Sequence, residues 1–234
     1  MTWLQTASGR AFDLLQPDWR QVDFEVDIPE ALARLARFTG HVRSGPYSVA
    51  QHCVIGADAV FQATRDREAA AAFLLHDAHE AYLGDIATPI VAAMAAAAGI
   101  VEGSRTAAQD MRSGLHMLKR KLDEAIHRAA GAVGLDAKHS RIVHEYDLRM
   151  LATERAHLLV RSPQPWAPQV EAAQPLRLVG KISVWPWVKA AEEYRERLRR
   201  YLPETFAPQP APSRPTPGFA ARRKPVPRKT LQEA

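Results

Sequence analysis

"DREAAAAFLLHDAHEAYLG", residues 66–84, begins at a capping aspartate and stops at a glycine, which predicts one helix over 66–83. Its first half, "AAAAFLL", is apolar on every face and belongs in a core. Its second half is different. His76, Asp77, His79, Glu80 and Asp85 fall within ten residues, and Glu80, one turn after His76, is expected on the same face. Such a helix either ends in solvent or converges on something charged.

Helical periodicity dominates the rest of the chain. Helices are predicted over 28–38, with a proline near the start, and over 48–63, with Ser48 as cap. Others are predicted over 88–98, with Thr88 as cap and Pro89 at the first position, over 117–134, over 138–159 and at the closing "PWVKAAEEYRERLRRYL". An Ala-rich, insertion-like stretch from about 92 to 115 is expected as a lid or a loop. Strand signal is thin: only "VDFEVDI", 22–28, alternates. The expected fold is all-α, one helical bundle over residues 1–202.

The 234 residues suffice for one domain with a sizeable core. No run approaches the roughly 18 apolar residues of a membrane span. The single cysteine, Cys53, excludes an internal disulfide, and with no basic start and apolar run at the N-terminus the expected compartment is the cytoplasm. The net charge of +5 is uneven: residues 203–234 hold six basic and two acidic side chains, so four of the five charges belong there. That segment also holds eight of the 17 prolines and is expected as a disordered tail, either solvated or in contact with polyanions.

Two further ionisable groups occur in apolar surroundings, His52 in "VAQHCVIGADAV" and Asp147 in "YDLRML". A buried imidazole or carboxylate costs several kcal/mol unless it finds a partner. Three helices thus bring ionisable groups inward, as bundles do when they build metal sites from facing helices. A mixed set of imidazoles and carboxylates suits a borderline divalent ion: Mn, Fe, Co, Ni or Zn.

The order His52, His76-Asp77, Asp147, together with "RFTGH", "YSVAQH", "LLHDAHEAYLGDIATP" and "YDLRMLATERAHLL", resembles the HD-domain metallophosphohydrolases, in particular the branch with bacterial 5′-deoxynucleotidases and phage deoxynucleotide phosphohydrolases. The resemblance covers residues 1–202. It implies that His52, His76, Asp77 and Asp147 ligate a divalent metal, that Arg37 meets the substrate phosphate, that Glu80 assists proton transfer, and that Asp85 touches the sugar hydroxyl. His41, close to Arg37, is a further candidate for phosphate. The implied substrate is a deoxynucleotide, a monophosphate first and a triphosphate as the alternative, and a homo-oligomer is the family expectation. The family often has a lysine just after the "TP" turn, where this chain has Val91. Two other classes compete: a di-iron oxygenase of the same fold, which needs additional histidine ligands, and a non-catalytic metal or nucleotide sensor.

Overall fold

The computed structural model describes residues 1–206 and bears out the all-α expectation. A short antiparallel hairpin, β1 (Trp3–Gln5) and β2 (Ala11–Asp13), opens the chain, with Leu4 opposite Phe12. The helices are α1 (Asp27–Arg34), α2 (Val49–Thr64), α3 (Arg67–Leu75), α4 (Glu80–Leu83), α5 (Thr88–Glu102), α6 (Arg105–Ala129), α7 (Leu135–Leu158), α8 (Pro168–Ala172), α9 (Trp187–Tyr201) and α10 (Pro203–Phe206). The segment 22–28 forms no strand; turns bonded to the Asp23 carboxylate lead it into α1.

Helix α3 is the axis of the bundle. Asp66 caps it by accepting from Ala69 N at 3.0 Å, and every residue from Ala69 to Leu75 is fully buried. Helix α2, capped by Ser48 through Gln51 N, lies against α3 so closely that a Cβ at Gly56 would fall 2.1 Å from the Phe73 ring. Helix α9 closes the other side. Tyr194 Oη donates to Leu74 O at 3.0 Å, and Arg197 and Tyr201 both reach the Asp58 carboxylate on α2. Helix α7 packs along α3 and α2, which turns its Asp147 toward both.

The helix expected over 66–83 breaks. From His76 to Ala81 the backbone bonds run three residues apart (Ala78 N to Leu75 O, Glu80 N to Asp77 O), and His76 Nδ1 takes the Phe73 carbonyl at 2.7 Å. This tightened stretch aligns residues three apart instead of four. Glu80 therefore lies with Asp77 and not with His76. The stretch 92–115 is not a loop: α5 and the first half of α6 form a helical hairpin, turned at Gly103 in the left-handed region and restarted by the Ser104 cap. The α5 arm of the hairpin buries only Ala95 and leaves Met94, Ile100 and Val101 exposed.

The packed body runs four residues beyond the boundary expected at 202: Phe206 meets Phe24 edge to face and Thr205 Oγ1 donates to Ala130 O. The rest of the tail expectation, residues 207–234, lies outside the described residues. Among the described residues no single helix is long and apolar enough to cross a membrane.

Candidate metal centre

Four side-chain atoms from three helical segments face one another. His52 Nε2, from α2, is 3.4 Å from Asp147 Oδ1 and 3.8 Å from Asp77 Oδ2. His76 Nε2 is 3.1 Å from Asp77 Oδ2 and 3.8 Å from Asp147 Oδ1. Ligands about 2.1 Å from a tetrahedral ion are themselves about 3.4 Å apart, so these separations fit one ion.

The outer partners fix which ring nitrogen is offered. His52 Nδ1 lies 2.7 Å from Glu154 Oε1, and His76 Nδ1 lies 2.7 Å from the Phe73 carbonyl. An ionised carboxylate and a carbonyl only accept, so both Nδ1 atoms donate and both Nε2 atoms are left for the centre. Both Nε2 atoms are buried, and neither makes a hydrogen bond among the described residues. Two buried imidazole nitrogens without partners, aimed at two carboxylates, fit a divalent cation.

Arg37 stands at the edge of this set. Its Nη1 donates to Asp77 Oδ2 at 3.5 Å and its Nη2 to Glu154 Oε2 at 3.2 Å, while its Nε is buried without a partner. It follows α1 on a short 3-10 turn in which Phe38 (φ 55°) and Thr39 (φ 53°) are both left-handed. Non-glycine residues rarely adopt that conformation, and a β-branched one more rarely still.

Burial opposes charge on every member, and the neighbours decide the outcome. It pulls His76 toward the neutral form, but Asp77 and Asp147 hold the imidazole well above its ordinary range. Burial and the Arg37 charge act on His52 in the same sense and are outweighed by Glu154 and Asp147. Asp77 and Asp147 would rise by burial; His76 and His52 bring both below the carboxylate range. Glu154 is likewise raised by burial and lowered more by Arg37 and His52. On Glu80, burial, Asp77 and Asp85 outweigh the charges of Arg37 and Lys119 and push it up to about 9. Asp85 is also raised, by burial first, with Arg37 counteracting and Asp77 reinforcing.

Of the sequence candidates, the structure brings His52, His76, Asp77, Asp147 and Arg37 into one cluster, with Glu80 beside Asp77 and Asp85 half-buried nearby. It does not bring in His41, which is exposed at the end of the Arg37 turn and makes no side-chain bond to the cluster. His79 is 5% exposed, and its Nδ1 meets Asp123 Oδ1 at 2.9 Å. His127 and His139 are also buried. Cys53 is a fully buried thiol pushed up to about 11 by that burial, so it stays protonated. The sequence reading missed Glu154. Its signal was the spacing: seven residues, two helical turns, after Asp147 puts it on the same face of α7.

No protein-family model matches the chain. An uncharacterized protein of Rhodobacter capsulatus is 38% identical over 119 residues, which are 48% of this chain and 59% of that relative, less than two thirds of its length. The uncharacterized protein YfdR of Escherichia coli K12 is 30% identical over 188 residues, 80% of this chain and 88% of YfdR. The chain belongs to the YfdR family. Both relatives are uncharacterized, so membership of the YfdR family assigns no reaction, and the chemistry has to come from the site.

Proposed function

We propose that the chain is a divalent-metal-dependent phosphohydrolase acting on deoxynucleotides, first of all a 5′-deoxynucleotidase that releases orthophosphate from deoxynucleoside monophosphates. One observation carries it: two buried, unpartnered imidazole nitrogens and two carboxylates at ligand spacing, with a guanidinium alongside that has a free donor. The resemblance of the same residues to HD-domain phosphohydrolases supports it further.

His52, His76, Asp77 and Asp147 would hold the ion. Bound there, it would neutralise phosphoryl oxygens and lower the pKa of a bound water. Arg37, intrinsically planar and cationic, is oriented by Asp77 and Glu154, and its unpartnered Nε offers a donor to a phosphoryl oxygen. Glu80, next to Asp77, protonates the leaving alkoxide or orients the attacking water, an effect worth roughly 10²–10⁴ in rate. Asp85, half-buried behind Glu80, accepts from a sugar hydroxyl and favours deoxyribose over ribose.

A triphosphate is the second reading, favoured by a cavity of about 610 Å³ that His79 shares with Lys119, Arg120, Asp123, His127 and Arg128. Its acids are each near a base: Asp123 with His79, Glu124 with Arg120, Asp136 with His127. Lys119 makes no ion pair among the described residues and would serve where Val91 replaces the family's lysine.

The test is a panel of deoxy- and ribonucleoside mono- and triphosphates, with protein reconstituted in turn with Mn, Co, Zn, Fe and Ni. Orthophosphate from deoxymonophosphates is expected. Tripolyphosphate would move the assignment to the second reading. No release from any substrate with any metal would overturn both, and iron-dependent oxygen uptake would replace them with the oxygenase.

A further inference from the structure

The same turn that presents His76 and Asp77 also presents His79 and Glu80. Asp77, His79 and Glu80 offer ligand atoms that all lie within 4.8 Å of one another. His79 and Glu80 are 5% and 6% exposed, and His79 Nε2 and Glu80 Oε2 are buried with no hydrogen-bond partner. Asp123 Oδ1 on α6, 2.9 Å from His79 Nδ1, makes that nitrogen the donor and sets the ring. Nε2 is then left with a lone pair directed away from Asp123.

Two buried polar atoms, His79 Nε2 and Glu80 Oε2, thus lie beside Asp77 with no hydrogen-bond partner among the described residues, and such burial is costly. A carboxylate behind a histidine, with the far ring nitrogen unpartnered, is the arrangement that positions metal-ligating imidazoles. It is the arrangement of His52 with Glu154 in the first centre.

We infer that a second divalent cation binds on Asp77, His79 and Glu80, beside the first and sharing Asp77 with it. The site presupposes an ion on His52, His76, Asp77 and Asp147 and so rests on the function proposed above. Two carboxylates and one imidazole form a harder ligand set than two of each, which suits Mn(II) better than Zn(II). His79 also lines the cavity of about 610 Å³, so water or phosphate oxygens have room to complete the coordination from that side. Glu80 gives one oxygen to this cation and keeps the other for its proton.

The experiment uses the full chain, stripped of metal, saturated with Mn(II) and freed of excess. Bound Mn is counted by mass spectrometry and the pair is examined by electron paramagnetic resonance. Two ions per chain with an exchange-coupled spectrum are expected for the wild type. One ion with an isolated six-line spectrum is expected for His79→Ala, and weakened second binding for Asp123→Asn, which keeps the side-chain volume should His79→Ala fail to fold. One ion in the wild type, lost in His76→Ala and kept in His79→Ala, would overturn the second site and leave the first. Two uncoupled ions, or two in both His79→Ala and Asp123→Asn at wild-type affinity, would also overturn it. No ion in the wild type would overturn the first site as well.

Discussion

Glu154 is fully buried on α7, yet it touches the two groups on which the proposed chemistry depends most: Oε1 meets the His52 ring and Oε2 meets the Arg37 guanidinium. Glu154→Gln keeps the shape, and its amide can turn only one acceptor to these two donors. Outer partners of metal-ligating histidines typically contribute 10- to 100-fold in affinity. Titration calorimetry of the variant is therefore expected to show metal binding weakened by about that factor, with the fold retained by circular dichroism. Unchanged affinity would mean that His52 needs no positioning. Two residues along from Arg37, Thr39 stores strain of another kind, a β-branched side chain at φ 53°. Thr39→Gly is expected to raise stability by about 1 kcal/mol, read as a higher denaturant midpoint at constant slope. The candidate ligands were legible in the sequence because His52 and Asp147 interrupt apolar runs and so announce a polar group turned inward. Glu154 was not, because "LATERAHLL" has polar neighbours on which a glutamate reads as one more solvated residue.

The elements were legible where period and caps agreed. Ser48 and Asp66 cap α2 and α3 as the sequence implied, since both are short acceptors just ahead of apolar runs. The break at 76–79 was hidden because a helix with i+3 bonds and one with i+4 bonds share almost the same hydrophobic pattern, and the difference comes from His76 competing for a backbone carbonyl. The hairpin of α5 and α6 was hidden for the opposite reason: alanines carry helix propensity but little sense of which face is inward. The contact of α2 with α3 has the sharpest test. Gly56→Ala must push the Phe73 ring aside inside a packed core, and a loss of about 1–3 kcal/mol is expected. Adding Phe73→Leu should recover part of it; the same loss in the double variant would place the strain elsewhere.

At the scale of the molecule, the proposed centre ties α2, the turn after α3, and α7 together, and like charges among its carboxylates are held apart only by histidines and Arg37. A cation bound to the folded state alone stabilises it by about 2.7 kcal/mol at a hundred times its dissociation constant. For a chain of this size that corresponds to a rise in melting temperature of about 5–10 °C. Scanning calorimetry with and without Mn(II) should show the rise in the wild type and little of it in His76→Ala. An equal rise in both would place the stabilising ion outside the cluster.

The shared carboxylate of Glu154 also has a consequence for descent. Residues 37, 52 and 154 form a triangle in which no corner can change alone without stranding a buried partner. Across related chains these three positions should be inherited as a block, retained together or replaced together. A lineage that has discarded the glutamate but kept both the arginine and the histidine would have had to find another anion to stand in its place.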